Sequence, residues 1–245
     1  GLGRIPGHWE LLRVKQLCSA IVDCKNRTAE RVEGGIFTVV RTTNVRRGQF
    51  TLRGSYPTDA MNYAIWTERG APRVGDVFFT REAPAGEACL VPDIPRLCMG
   101  QRMMYLRPRS NVLDARFLLL SIYGPTVRSY IEYACHGSTV GHLRLGQVSS
   151  IPILWCPIDE QVRIIEHVEL ASRPINIATE QAEQEIALVR EYRTRLIADV
   201  VTGQLDVREA VKGLPIDDAD GGEPVDAGDE NDEAEIDDIE QGEAA

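Results

Sequence analysis

The sequence predicts an α+β protein: a mixed α/β domain, then a long helix suited to coiled-coil-like pairing, then a disordered acidic tail. Three observations predict it. Residues 1–155 alternate short β-branched or apolar runs with turn-rich polar stretches, and they carry 20 Lys and Arg against 12 Asp and Glu, a net +8. From Pro174 to Val201 no further Pro and no Gly interrupts a run of helical periodicity. Residues 214–245 hold 14 Asp and Glu and neither Lys nor Arg, a composition too poor in apolar residues to form a core. The formal charge of −10 over 245 residues therefore hides a basic block and an acid tail, with a net −4 over residues 156–213 between them. A basic globular part favours a polyanionic partner.

At the start, Ile5-Pro6 and His8-Trp9-Glu10 lead into LLRVKQLCSAIV, which reads as a short amphipathic helix with Trp9 anchoring its head. Residues 23–35 are polar and turn-rich. The β-branched run IFTVV that follows has the character of a buried strand. Immediately beyond it stand Arg41, Thr42, Thr43, Asn44, Arg46 and Arg47, with Gly48 as a turn. Arginine forks and asparagine amides match guanine and adenine edges, and threonine suits phosphates. A solvated basic loop is the plain alternative. In a basic domain, just past a strand end, Arg41, Asn44, Arg46 and Arg47 are expected as a group to face DNA.

Residues 56–69 read as helix or loop. VFFT, after the Val74-Gly75-Asp76 turn, reads as a strand with Arg81 at its end, either a DNA contact or an ion-pair partner of Glu82 or Glu87. MGQRMMYLRP gives another strand, with Gln101 and Arg102 at its entry able to read base edges or to cap the strand. FLLLSIYGPTVRSYIEYA predicts helix interrupted near Gly124-Pro125, with Phe117, Leu118 and Leu119 in the core. Gly137-Ser138-Thr139, before His142, Leu143 and Arg144, is either a loop whose N–H and hydroxyl groups approach a phosphate or an ordinary glycine turn.

SSIPILW is a strand that closes the domain near Trp155. A short helix follows, then a proline break, then the long helix with Pro174 in its first turn. Ile175, Ala178, Ala182, Ile186, Val189, Leu196 and Val200 recur at steps of three and four, with one gap at Arg193. The 28 residues from Pro174 make a rod of about 42 Å. The chain offers no second long helix to cover this stripe, so a partner helix is expected. Gly203 ends it.

The segments RIPGHWELLRVKQL, EQVRII and EIALVREYRTRLIADVVTGQLDVREA resemble the specificity (S) subunit of type I restriction–modification systems, over roughly Arg4 to Pro215. The strand from Gly75 to Arg81 and the Gly137 loop resemble recurring elements of its recognition domains. The resemblance implies a DNA target-recognition domain over residues 1–155, a conserved helical spacer and dimerisation region over 156–213, and an acidic tail over 214–245 with no assigned role. It further implies a non-catalytic subunit that reads half of a bipartite double-stranded target. The helix would dock a methyltransferase (M) subunit, and a restriction (R) subunit would join the full complex. S-adenosylmethionine and ATP would belong to those partners, and this chain would need no cofactor. Arg81, Gln101, Arg102, Ser138, Thr139 and Arg144 thereby join the expected DNA contacts. Complete subunits of the family carry two such units in tandem. This chain holds one, with an ending like the C-terminal unit, so a homodimer through the helix is one way to restore two-fold symmetry. A different class of function is a truncated module that titrates methyltransferase subunits without specific DNA binding; it would leave the arginine cluster unexplained.

Enzymatic classes find no support in the motifs. There is no GxxxxGK[ST] or GxGxxG stretch, no [DN]PP[YF] and no GxSxG. Cys135, His136 and His142 lack the spacing of a zinc set, so no metal is expected. Six cysteines without a CxxC pair suit reduced thiols of a cytoplasmic protein. No apolar run is long enough to span a membrane.

Overall fold

Strand and helix order follow from which residues can be buried on two sides at once. A computed structural model describes residues 5–136 and 141–206. Its strands are β1 (Glu10–Arg13), β2 (Cys18–Asp23), β3 (Phe37–Val40), β4 (Val45–Arg46), β5 (Gln49–Phe50), β6 (Tyr56–Thr58), β7 (Val77–Thr80), β8 (Ala88–Leu90), β9 (Leu97–Met99), β10 (Met103–Pro108) and β11 (Pro152–Trp155). The helices are α1 (Val14–Leu17), α2 (Ala60–Trp66), α3 (Ala115–Tyr123), α4 (Pro125–Cys135), α5 (Leu145–Ser149) and α6 (Ile158–Val201). The protein is α+β, as its sequence predicts.

Two sheets stack. The first runs β2-β10-β7-β8, antiparallel throughout. The second runs β6-β3-β9, with β3 antiparallel to β6 and parallel to β9. Alternation along β7 and β10 sorts side chains between two cores. Val77, Phe79, Met104 and Leu106 pack against Phe117, Leu118 and Ile122 of α3 and Val127 and Ile131 of α4. Phe78, Met103 and Tyr105 face the other way, onto Val40, Leu97 and Met99 of the second sheet. That sheet is two-sided as well, since Val39 and Cys98 turn outward onto Trp66 of α2. Two-sided burial is complete along VFFT and holds for Val39 and Val40 of β3, while Phe37 and Thr38 are half-buried and Ile36, ahead of the strand, is exposed.

The N-terminal segment departs from its expected form. LLRVKQLCSAIV is not one amphipathic helix but β1, the single turn α1 and β2. Ladder pairing wins over local pattern here: Leu11 pairs with Leu154 of β11, and Val22 with Tyr105 of β10. Trp9 keeps an anchoring role, donating from Nε1 to Glu160 at the start of α6 (3.1 Å), where His8 also meets that carboxylate (2.8 Å). The interruption at Gly124-Pro125 falls where expected, Pro125 opening α4 at a position whose N–H is not needed.

The proline break is a second correction. α6 runs without interruption from Ile158 to Val201, with Pro174 inside it. Pro174 leaves the Leu170 carbonyl without its helical N–H, and Leu170 is 71% exposed, so water can serve that oxygen. Compactness divides the chain after Ile177, and the second unit opens at Ala178. In the first unit Gln161, fully buried, holds the start of α6: it accepts from the Asp114 N–H (2.9 Å) and donates to Val112 O (2.9 Å) and Cys156 O (2.7 Å). In the second unit Ala178, Ala182, Ile186, Val189 and Leu196 all stand in solvent, beside Leu188, Tyr192 and Ile197. No helix among the described residues is long and apolar enough to cross a membrane.

Candidate nucleic-acid interface

The basic cluster after β3 folds into a small hairpin. Val45 is buried and seats β4; Arg46 pairs with Gln49, and the two residues between them make the turn. Arg47 (φ 49°) and Gly48 (φ 82°) are both left-handed, which is the signature of a two-residue turn matched to strand twist. This throws the Arg46 and Arg47 side chains into solvent.

Asn44 corrects the expectation that the group faces DNA together. It is fully buried, and its amide is consumed: Oδ1 accepts from the Arg41 N–H (2.7 Å), while Nδ2 donates to Thr51 O (2.8 Å) and Arg53 O (2.9 Å). It shapes the loop rather than reading a base. We expect Asn44→Ala to cost about 2–3 kcal/mol in a thermal or urea melt, because backbone groups lose their partner. Arg41 lies at the entry of the same turn, half-buried.

The second component is the segment from Arg81 to Glu87. Thr80, fully buried, closes it: Oγ1 donates to Pro84 O and accepts from the Glu87 N–H (3.0 Å), around a cis Ala83-Pro84 bond. Arg81 is also a correction. Its guanidinium, 15% exposed, pairs with Asp23 of β2 at 3.2 Å, not with Glu82 or Glu87. That removes it from the surface. Glu82 instead meets the Arg102 guanidinium at 3.6 Å and accepts from His142 Nδ1 at 2.9 Å. Glu87 accepts from the Arg47 N–H at the hairpin tip and from the Tyr123 hydroxyl (3.0 Å). Tyr123 in turn carries the Arg128 guanidinium over its ring at 4.3 Å.

Topology therefore brings Arg102 and His142 to Glu82, and the Arg47 backbone and Tyr123, with Arg128 over its ring, to Glu87. Gln101 lies in the turn before β10 with its amide beside the Arg27 and Thr28 N–H groups, and its oxygen accepts both at 3.3 Å when turned toward them. Arg144 is exposed before α5. Ser138 and Thr139 lie outside the described residues. Sequence reading missed Tyr123, Arg128, Glu82 and Glu87 as parts of the site. They come from a helix pair and a loop remote from the arginine run, and no spacing links them.

The arrangement offers charge and hydrogen bonds rather than a reactive group. Burial pushes the Cys89 and Cys98 thiols up to about 12 and also raises Cys135, so none is poised as a thiolate. Among the described residues no group of three or more His, Cys, Asp or Glu could hold a metal ion.

Comparison with known proteins bears on the same stretch. A family model described as the type I restriction modification DNA specificity domain matches residues 6–188. Among solved structures, one from a study of complex assembly and conformational transition in the type I R-M system superposes with a TM-score of 0.55 at 21% identity, covering 77% of this chain and 44% of that one. The HsdS subunit from Thermoanaerobacter tengcongensis superposes with a TM-score of 0.51 at 19% identity, covering 73% of this chain and 41% of its own. These likenesses establish a shared fold. The chain thus spans less than half the length of the solved chains it matches. No curated protein matches.

Proposed function

Because the chain belongs to the family of type I restriction–modification DNA specificity domains, we propose that it is a non-catalytic recognition unit that reads one half of a bipartite double-stranded DNA target. The observation that carries the reading is the hairpin tip. Arg46 and Arg47 stand exposed on a turn held by hydrogen bonds from the Arg81–Glu87 segment and α3, in a block of net charge +8. Arginine forks held on a fixed turn suit groove edges and phosphates. Arg102 and Arg144 extend this surface. Asn44, Arg81 and Gln101 support it from beneath.

In this reading residues 1–155 form the recognition domain, residues 156–213 the spacer, and the tail has no assigned part. The apolar residues of the spacer (Ile186, Val189 and Leu196 among them) dock a methyltransferase subunit, pair with a second copy of this chain, or do both. Methyl transfer with S-adenosylmethionine, and ATP-dependent cleavage by a restriction subunit, belong to partner chains in the cytoplasm.

Co-expression with a methyltransferase subunit of the same system, followed by mapping of methylated adenines in the host genome, tests the proposal. We expect a new bipartite motif, and matching palindromic halves if two copies pair through the helix. A stable complex of the two proteins with no new methylation would overturn it in favour of a module that only titrates methyltransferase subunits.

A further inference from the structure

We propose that the Tyr123 hydroxyl, together with the Glu87 carboxylate it binds, is the positioning device that fixes Arg46 and Arg47 for DNA contact. This rests on the reading of the hairpin tip as a DNA-binding element.

The hairpin cannot hold itself. It has two paired residues on each side, Val45 with Phe50 and Arg46 with Gln49, and a ribbon that short is unstable alone. Arg47 also occupies the left-handed region, where a residue with a Cβ is disfavoured. Some outside interaction must select this conformation. Two backbone N–H groups at the tip provide it: Arg47 donates to Glu87 Oε2, and Gly48 donates to the Tyr123 hydroxyl at 2.8 Å.

Tyr123 is used to capacity. A phenol has one hydrogen and two lone pairs. Its oxygen accepts from the Gly48 N–H and from the Ala88 N–H (3.1 Å), and it lies 3.0 Å from both Glu87 Oε2 and Ala88 O, to either of which its one hydrogen can be donated. One hydroxyl therefore ties the tip, the start of β8 and the end of α3 together. Burial raises its pKa above the ordinary phenol value, which keeps the hydrogen in place. Arg128 over the ring adds a cation beside the same junction. A phenylalanine would fill the same space and keep the Arg128 contact, so what the hydroxyl itself adds falls on the tip and on the buried Ala88 N–H.

The test is a double-mutant cycle on the full chain, with a labelled mixed-sequence DNA duplex titrated at several salt concentrations. Arg47→Ala alone should weaken binding about tenfold and lower the slope of log affinity against log salt by about one. Tyr123→Phe should weaken binding by a similar factor. Adding Tyr123→Phe to a chain that already carries Arg46→Ala and Arg47→Ala should weaken binding no further, because the side chains that the hydroxyl places are gone. Trypsin should cut after Arg46 and Arg47 faster in Tyr123→Phe than in the unmodified chain. Losses that multiply, with unchanged trypsin cutting at the tip, overturn the proposal. Should Tyr123→Phe fail to fold, Glu87→Ala substitutes for it, since it removes the acceptor of the Arg47 N–H; non-additivity with loss of both arginines is again expected, and additivity again overturns. If Arg46→Ala and Arg47→Ala each leave affinity unchanged, the DNA reading of the tip has failed, and trypsin cutting then decides separately whether Tyr123 positions it.

Discussion

Replacing Arg46 and Arg47 together with glutamate is expected to abolish measurable DNA binding while leaving partner docking through α6 intact. Each arginine is exposed on a turn whose backbone is held from outside, so the substitutions change charge and leave the support in place. A well-placed arginine contact is worth about 1–3 kcal/mol, and reversal adds repulsion from the phosphates, so the combined loss should reach about a hundredfold or more. The comparison to make is salt-dependent binding of the two proteins to the same duplex, beside pull-down of a methyltransferase subunit. Unchanged affinity would show that the interface lies elsewhere on the domain. Loss of both activities would indicate damage to the fold rather than to the contact.

The largest expected effect on stability comes from a site with no part in recognition. Asp76, whose side chain is 1% exposed, meets Arg107 in a two-pronged pair, Oδ1 to Nε and Oδ2 to Nη2, each at 2.8 Å. Oδ2 also accepts from the Arg73 N–H (2.9 Å), and Arg107 donates to Ala71 O (3.0 Å) while lying over the Tyr105 ring. Asp76→Ala strips Arg107 of its counter-charge between two strands of the central sheet. Breaking a buried pair from one side costs about 3–5 kcal/mol. For a chain whose whole stability is about 5–15 kcal/mol, such a loss should be plain in a urea titration, as a midpoint shift at unchanged slope. A shift near zero would mean that water reaches the arginine as readily as the carboxylate does.

The strands in IFTVV and VFFT were legible in the sequence because short, β-branched and aromatic runs bounded by turn residues suit buried strands. The helix pair around Gly124-Pro125 was legible for a similar reason, since a proline there marks a start rather than a fault. LLRVKQLCSAIV was misread because its pattern suits a helix locally, and its partners in β10 and β11 lie far along the chain. Pro174 was misread because an exposed helix can tolerate one lost hydrogen bond, a fact about solvent rather than sequence. At the site, the arginine run announced itself, yet Asn44 carried the same signal and turned out to be internal scaffolding. Whether an amide faces a base or its own backbone depends on where Thr51 and Arg53 return, and composition does not encode that. Glu82, Glu87 and Tyr123 are invisible for the converse reason: their importance arises only after three distant segments meet.

The two-faced central sheet has a consequence for how such a protein can change its target. Val77, Phe78 and Phe79, and Met103 through Leu106, are each committed to a core on one side or the other, so none can vary without repacking a layer. The tip at Arg46 and Arg47 contributes nothing to either core. On the proposed reading, the part that would touch DNA can therefore change while the architecture that carries it stays still, at small cost to folding.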